Sequence, residues 1–294
     1  MKRWIIRISL AFVVGLLVLA GSCNPFDPLA AAGFGDLKIY WVTGLSLRSV
    51  NLDGTGYQTL YTDPGAAGYA SIEVDIYNGH IYVADTAFGR VLKFDLDGNL
   101  LDSNFLTGSV TDIALDPIDE WLYYYTGSEL YRTSLDKSST DFFGGLTISH
   151  MEIDAINRRL YVCDGATPTN FFYYPIGPIL GVSTPVGQSY MAAPVSEFVL
   201  DVKNNWIYWL QTSQVRRDTL PVMTLSQSEE ILTDPSVTEI RGLAVDPYEN
   251  KVYYTLNFAP SAVRSKFIDP TFDIEYVLTD IGPFATDMWI DLWP

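Results

Sequence analysis

Six short segments of the chain end in an aspartate, and the residues just before these aspartates are those best suited to chemistry. The aspartates are Asp75, Asp116, Asp154, Asp201, Asp246 and Asp291, and four residues before them stand Ser71, Asp112, His150, Glu197, Gly242 and Asp287. Carboxylates and one imidazole are donor types that bind divalent cations, chiefly calcium, magnesium or manganese, with zinc also conceivable. Asp112, His150, Glu197 and Asp287 are therefore a candidate metal site.

A second set of residues lies two positions before each aspartate. It consists of Glu73, Ala114, Glu152, Val199, Ala244 and Trp289, whereas the positions three and one before are entirely apolar. Since side chains alternate between the two faces of a strand, the two sets share one face, with Glu73 and Glu152 in a second layer. Carboxylates gathered in this way raise one another's pKa unless a cation or water is shared between them. Three interpretations stay open: a hydrated acidic channel without a ligand, a bound metal without chemistry, and metal-assisted catalysis.

The segments that carry these residues form an internal repeat. Successive aspartates from Asp75 to Asp246 are 41, 38, 47 and 45 residues apart, and each is followed at the seventh position by a tyrosine. Those tyrosines are Tyr82, Tyr123, Tyr161, Tyr208 and Tyr253. A period of about forty residues is typical of one four-stranded propeller blade.

A turn is predicted directly after each aspartate. The third position after it holds Asn78, Asp119, Asn157, Asn204 or Glu249, mostly turn-forming residues that tolerate left-handed backbone. The aspartates themselves, called the anchor aspartates below, are expected to be structural and to accept backbone N–H groups of the turn.

The two ends of the chain complete each other. Residues 36–54 contain a tyrosine strand with Tyr40 but have Gly33 in place of the anchor, whereas residues 285–294 contain the strand before Asp291 and then stop. The C-terminal strand is therefore expected to become the innermost strand of the first blade. The predicted fold is all-β, a six-bladed β-propeller over residues 36–294 that is closed by this strand.

The tyrosine strands resemble those of the YWTD propellers of the LDL-receptor family. They read YWVT (40–43), YVAD (82–85), YYYT (123–126), YVCD (161–164), YWLQ (208–211) and YYTL (253–256), and an LDG turn occurs at 52–54 and 96–98. The resemblance implies a six-bladed propeller, but the cysteines needed for the accompanying EGF-like modules are missing. Other six-bladed families remain open, including the gluconolactonase-like enzymes, which place a divalent ion at the channel.

The N-terminal residues predict a lipoprotein. Residues 1–22 have a basic start and an apolar run, as a secretory signal does. The segment LAGSC (19–23) resembles the bacterial lipobox, which implies cleavage before Cys23, a lipid on its sulfur, and a lipidated linker over residues 23–35. We expect the protein to lie in a bacterial cell envelope, with the outer membrane favoured because Asn24 follows the cysteine. An uncleaved anchor or plain secretion is the alternative.

The net charge and the motifs that are missing exclude several classes of function. The formal net charge of −17 repels nucleic-acid phosphates, so no nucleic-acid partner is expected. No phosphate-binding glycine loop, nucleophile elbow or H-E-x-x-H motif occurs. Cys163 lacks an intrachain partner once Cys23 carries lipid, and is expected to be buried. The sequence therefore favours a monomeric propeller that binds a protein or small molecule at the channel mouth, with a metal-dependent, lactonase-like hydrolase as the alternative.

Overall fold

The computed structural model describes residues 37–65, 68–164, 169–177, 186–191, 195, 197–211, 213–220, 228–233, 240–256, 262–268, 274–279 and 285–290. The predictions on the signal, on Cys23 and on Asp291 lie outside these residues. Within these ranges every regular element is a β-strand, and no helix there is long and apolar enough to span a membrane.

The strands form six antiparallel sheets of four, and each sheet is one blade. In chain order the strands are β1 Lys38–Thr43, β2 Ser46–Asn51, β3 Gln58–Thr62, β4 Tyr69–Asp75, β5 His80–Asp85, β6 Arg90–Asp95, β7 Leu100–Thr107, β8 Asp112–Asp116, β9 Trp121–Tyr125, β10 Glu129–Ser134, β11 Thr140–Gly145, β12 His150–Asp154, β13 Arg159–Cys163, β14 Thr169–Pro175, β15 Val186–Met191, β16 Phe198–Asp201, β17 Trp206–Gln211, β18 Gln214–Thr219, β19 Glu229–Thr233, β20 Ile240–Asp246, β21 Lys251–Leu256, β22 Ala262–Phe267, β23 Glu275–Thr279 and β24 Ala285–Ile290.

The first strand of each sheet lies innermost. Blade 1 has the order β24-β1-β2-β3, and blades 2 to 6 begin at β4, β8, β12, β16 and β20. Neighbouring inner strands contact one another all the way round, in the order β24, β4, β8, β12, β16, β20 and back to β24. This closed ring around a central channel confirms the predicted six-bladed propeller.

Closure by the C-terminal strand is also confirmed. β24 pairs with β1 antiparallel, with Ile290 opposite Ile39, Trp289 opposite Tyr40 and Asp287 opposite Val42. β24, the last described strand, therefore completes the first sheet, and β1 has a strand partner on both sides.

The core lies between blades. The repeated tyrosines, from Tyr82 to Tyr253, are at most 1% exposed. In one cluster Tyr82 and Val91 of blade 2 pack against Ile113 and Leu122 of blade 3. The alternate, apolar positions of the inner strands pack against the neighbouring blade, as the sequence pattern predicts; Met151 and Ile153 of blade 4, for example, lie in one cluster with Tyr123 of blade 3.

The turn after each anchor differs from the prediction in one position. Left-handed backbone occurs at the fourth residue after the anchor, not the third, and that residue is Gly79 (φ 71°), Glu120 (58°), Arg158 (58°), Asn205 (59°) or Asn250 (53°). The third residue donates instead: the amide nitrogen Nδ2 of Asn157 lies 2.8 Å from Asp154. Asparagine is thus placed at the third position for its side-chain donor and not for its tolerance of positive φ.

Candidate functional site

The residues four positions before the anchors lie where the inner strands begin, and they are buried. Ser71, Asp112, His150, Glu197 and Asp287 are at most 8% exposed. We call these five residues, with Gly242, the upper ring. Their burial shows that solvent scarcely reaches this level of the channel.

A relay of hydrogen bonds explains why polar side chains occupy the upper ring. Each of these side chains contacts the inner strand of the following blade, at the backbone of the residue three positions before the anchor of that blade. Met151 N–H donates to Asp112 Oδ2 over 2.8 Å, and Ile72 N–H donates to Asp287 Oδ2 over 2.8 Å. The carboxylates are therefore used as connections from one inner strand to the next.

The relay continues through the other members of the upper ring. Ile113 N–H donates to Ser71 Oγ over 3.4 Å, and Leu243 N–H donates to the Glu197 carboxylate. His150 Nε2 lies 3.1 Å from the carbonyl oxygen of Phe198, so the imidazole donates to the next strand where the carboxylates accept. The inner strand of a blade has no strand partner on its channel side, and these contacts satisfy backbone groups that would otherwise be buried without one.

Gly242 is the exception, since it has no side chain with which to reach β24. There the Met288 N–H donates to its own neighbour, Asp287 Oδ1, over 2.8 Å. Gly242 has φ +59°, and an added Cβ would lie 3.0 Å from Thr255 Oγ1 and 3.2 Å from Met288 Cβ. Close approach of β24 and a left-handed backbone both require glycine here.

Burial and mutual repulsion raise the pKa values of the buried carboxyl groups. Burial raises the pKa of Asp112 to about 6 and that of Glu197 to about 7. Burial, followed by repulsion from Glu197, holds the pKa of Asp287 well above its ordinary value. These groups therefore hold protons at pH values at which exposed carboxyl groups are ionised.

His150 provides the counter-charge of the upper ring. Its Nδ1 lies 3.5 Å from Asp112 Oδ2, and its Nε2 lies 3.6 Å from Glu152 Oε1. Burial by itself would lower the pKa of His150, but Asp112 and Glu152 outweigh burial and hold that pKa well above the ordinary value. The raised pKa favours the protonated imidazole, whose positive charge then offsets that of the carboxylates beside it.

The predicted metal ligands do come from four different blades and act on one another, but their donor atoms are turned to the neighbouring strands. Among the described residues no three His, Cys, Asp or Glu side chains are grouped so that they could hold a metal ion. Metal binding by Asp112, His150, Glu197 and Asp287 stays a prediction that this geometry does not favour.

Below the upper ring the channel widens into a cavity of about 110 Å³. It is lined by the second-layer residues Glu152, Val199, Ala244 and Trp289 and by apolar neighbours as far as Ile156, beyond the end of β12. The Glu152 side chain is 26% exposed, so solvent enters the cavity. The lining includes Ala155, Ile156 and Val202, which directly follow their anchors, so the cavity reaches the end of the channel that carries the anchor turns.

Exposed apolar side chains lie in the anchor turns at this end of the propeller, and the sequence analysis did not identify them. Tyr77, Ile118 and Ile156 stand two residues after their anchors and are 45%, 52% and 53% exposed. At the same turn position of blades 5 and 6 the Lys203 ammonium lies 3.3 Å from the centre of the Tyr248 ring. In the sequence, large side chains recur at one position of a turn that does not require them. We call these five residues, Tyr77, Ile118, Ile156, Lys203 and Tyr248, the turn rim.

The anchor aspartates hold the turns that carry the rim. The five described anchors are at most 2% exposed. Asp75, Asp154 and Asp201 each accept the backbone and side-chain N–H of an asparagine three residues on, as in Asp201 with Asn204 at 2.9 and 2.8 Å. Asp116 and Asp246 accept two backbone N–H groups instead.

Cys163 is fully buried on β13 and its sulfur lies 3.1 Å from Ser149 Oγ. Burial raises the pKa of this thiol, which disfavours the reactive thiolate. Cys163 therefore acts as a core side chain and does not add a nucleophile to the site.

Comparison with known proteins identifies the fold. No protein-family model and no curated protein matches the chain. Three solved structures are similar in shape: a chain of the nidogen/laminin complex (TM-score 0.71, 11% identity, 87% of this chain and 98% of that one), TolB from Acinetobacter baumannii (0.65, 11%, 88% and 67%) and a putative TolB from Agrobacterium tumefaciens (0.64, 12%, 88% and 100%). At these identities the likeness is one of fold, and it agrees with the YWTD-like strands. The chain is a six-bladed β-propeller, the fold that it shares with these proteins.

Proposed function

We propose that this protein is a ligand-binding propeller, held at a bacterial envelope by lipid on Cys23, whose binding site is the channel cavity and the turn rim around it. The observation that carries the proposal is a solvent-reached, largely apolar cavity at the end of the channel that carries the anchor turns, next to a level at which buried polar side chains connect five of the six pairs of neighbouring inner strands. A concave apolar site with a few placed polar groups is the usual form of a ligand site.

The carboxylates best placed for chemistry are already engaged, which weakens the hydrolase alternative. Asp112, Glu197 and Asp287 accept backbone N–H groups of neighbouring strands. A metal-dependent lactonase would need several of these oxygen atoms on one ion. Binding requires no such rearrangement and uses surfaces that are exposed.

Site-directed photo-crosslinking in the producing cell would test the position of the site. A benzophenone side chain at Ile156, on the turn rim, is compared with one at Leu101 on the outer strand β7, since both residues are 53% exposed. We expect a defined mass increase at position 156 that is absent at 101 and is lost when Val199→Phe fills the cavity. Equal labelling at both positions, or none at 156, would contradict the proposal.

The envelope location is tested separately. Cys23→Ala should abolish lipid attachment and move the protein out of the membrane fraction, as seen by fractionation and by the mass of the N-terminal peptide. An unchanged mass and an unchanged distribution would mean that Cys23 is not the anchor, and the cavity proposal would be unaffected.

A further inference from the structure

Blade 1 buries an arginine that has no carboxylate to pair with. Arg48, on β2, is 9% exposed, and within the described residues it forms no ion pair. Its Nη1 donates to the Tyr57 hydroxyl over 2.9 Å, whereas its Nε is buried without a hydrogen-bond partner. A buried charge without a counter-charge costs free energy, and a ligand that supplies the counter-charge recovers it.

A second buried donor lies beside Arg48. Trp41 stands directly opposite Arg48 in the pairing of β1 with β2, and it packs against Tyr253 of blade 6, so both side chains are on the face turned to that blade. Trp41 is 0% exposed, and its Nε1 also has no acceptor in the described part of the chain. Tyr57 stacks on Trp41 with 6.0 Å between ring centres and is 41% exposed. The two unsatisfied donors therefore lie directly beneath the surface.

Blade 5 contains the carboxylate that blade 1 lacks. Arg216 on β18 has the same position in its blade as Arg48, because each arginine stands opposite a tryptophan and directly follows a register shift against the outer strand. Opposite Arg216 on the outer strand is Glu230, whose Oε2 lies 3.7 Å from Nη1 of Arg216. Opposite Arg48 on the outer strand is Thr59. Blade 1 thus keeps the arginine of this pair and has no acid at the facing position.

The donors specify a carboxylate as the missing group. The guanidinium fork matches the two oxygen atoms of a carboxylate, and the indole N–H adds one more donor. A protein with a net charge of −17 repels a phosphate dianion more strongly than a carboxylate with a single charge. None of Arg48, Trp41 and Tyr57 lines the channel cavity, so this is a second place in the molecule.

We propose that blade 1 binds the carboxylate of a ligand at Arg48 and Trp41, in the place that the Glu230 carboxylate takes in blade 5. The ligand accepts from the Arg48 guanidinium and from the Trp41 indole, and Tyr57 forms the exposed wall of the site. The carboxylate comes either from a free carboxylic acid or from an aspartate or glutamate side chain of a protein. The site is separate from the channel cavity, so the inference does not depend on the proposed function.

An added carboxylate and a built-in one test the inference together. The melting temperature of the full-length protein in detergent is measured at pH 7 while sodium acetate replaces sodium chloride at constant ionic strength. We expect acetate to raise the wild-type melting temperature by about 3 °C. Thr59→Glu places a carboxylate opposite Arg48, and should raise the melting temperature in chloride by about 2 °C and remove the response to acetate. Gln58→Glu adds the same charge at the adjacent exposed position, on the opposite face of β3, and is the matched control that should do neither.

Further probes define the ligand. Arg48→Lys keeps the charge but loses the fork, so it should at least halve the acetate response. Phosphate at the same ionic strength should raise the melting temperature less than acetate does. The source of the carboxylate is distinguished by calorimetry with acetyl-Gly-Gly-Glu-Gly-Gly-amide: tighter binding than acetate assigns the site to a protein side chain, and weaker binding assigns it to a free acid. Either order supports the inference, provided that the same peptide with glutamine in place of glutamate binds at least tenfold more weakly.

Several outcomes overturn the inference. They are an acetate response that is equal in the wild type and Thr59→Glu, a Thr59→Glu variant that melts no higher than the wild type in chloride, and an acetate response that Arg48→Lys leaves unchanged. A phosphate response as large as that of acetate, or no response to acetate in the wild type, also overturns it. None of these outcomes bears on the channel cavity, which the crosslink at position 156 tests separately.

Discussion

The buried carboxyl groups of the upper ring should make the protein less stable as the pH rises from 5 to 8. The folded pKa of Asp112 is about 6, against an ordinary value of 3.8. A carboxyl group whose pKa is raised on folding binds its proton more tightly in the folded state, so its stabilising contribution is complete below the unfolded pKa and is lost as the pH rises through the folded pKa. Glu197, Asp287 and Glu73 have raised pKa values, so their contributions change in the same direction.

The magnitude for Asp112 follows from the size of its shift. One pKa unit corresponds to about 1.4 kcal/mol, so a shift of roughly two units changes the free energy of unfolding by about 3 kcal/mol in total. About half of that change falls between pH 5 and pH 8. His150, whose pKa is also raised, loses its stabilising contribution as the pH rises through its folded value and adds to the same trend.

Asp112→Asn isolates the contribution of this one residue. Asparagine keeps an oxygen that can accept the Met151 N–H but cannot ionise. We expect the unfolding free energy of the variant to fall by about 1.5 kcal/mol less than that of the wild type between pH 5 and pH 8. Asp97→Asn, at an exposed turn position, is the control and should follow the wild-type profile.

The assay is urea denaturation followed by tryptophan fluorescence at pH 5, 6, 7 and 8 and constant ionic strength. A wild-type protein whose stability is flat or rises over this range would refute the reasoning. So would an Asp112→Asn profile parallel to that of the wild type, since it would mean that Asp112 is ionised in the folded protein at pH 5.

Three further predictions concern the architecture. Asp154→Ala should lower the unfolding free energy by about 2–3 kcal/mol, because Asn157 loses its acceptor for two N–H groups, and unchanged denaturation midpoints would contradict the structural role of the anchor. Gly79→Ala should cost about 1 kcal/mol through its left-handed backbone alone, since an added Cβ meets nothing within 4 Å, and a neutral result would argue against the positive φ. Deleting residues 285–294 should make the protein insoluble or greatly lower its melting temperature, because β1 loses β24, and a truncated protein that melts as the intact one does would contradict the closure.

The fold could be predicted because the repeated residue types each have a single structural role in a propeller blade. The tyrosines at the seventh position are buried between blades, and the aspartates hold the turns before them. The closure was predictable because the first repeat has a tyrosine strand without an anchor strand, whereas residues 285–291 form an anchor strand without a tyrosine strand. The position of the left-handed backbone could not be predicted. Asn78, Asn157 and Asn204 suit either a positive φ or a side-chain hydrogen bond to the anchor, and the sequence does not distinguish the two.

The site was predicted only in part, for a physical reason. Alternation along the strand brings Asp112, His150, Glu197 and Asp287 to one level of the channel, and that much follows from the period of two. Alternation does not say whether a carboxylate faces the channel axis or bends to the N–H of the neighbouring strand. Bending is favoured because the next inner strand has N–H groups without a strand partner within reach, namely those of Met151 and Ile72.

The central claim is that the carboxylates of the upper ring connect neighbouring blades by accepting backbone N–H groups, an arrangement that does not favour a shared metal ion. The most direct test is the melting temperature of the protein after chelation, measured while calcium, magnesium, manganese and zinc are added separately from micromolar to millimolar concentration. We expect the wild type and Asp112→Asn each to keep its own melting temperature at every metal concentration. A melting temperature that rises with one of these ions in the wild type, and does not rise in Asp112→Asn, would contradict it.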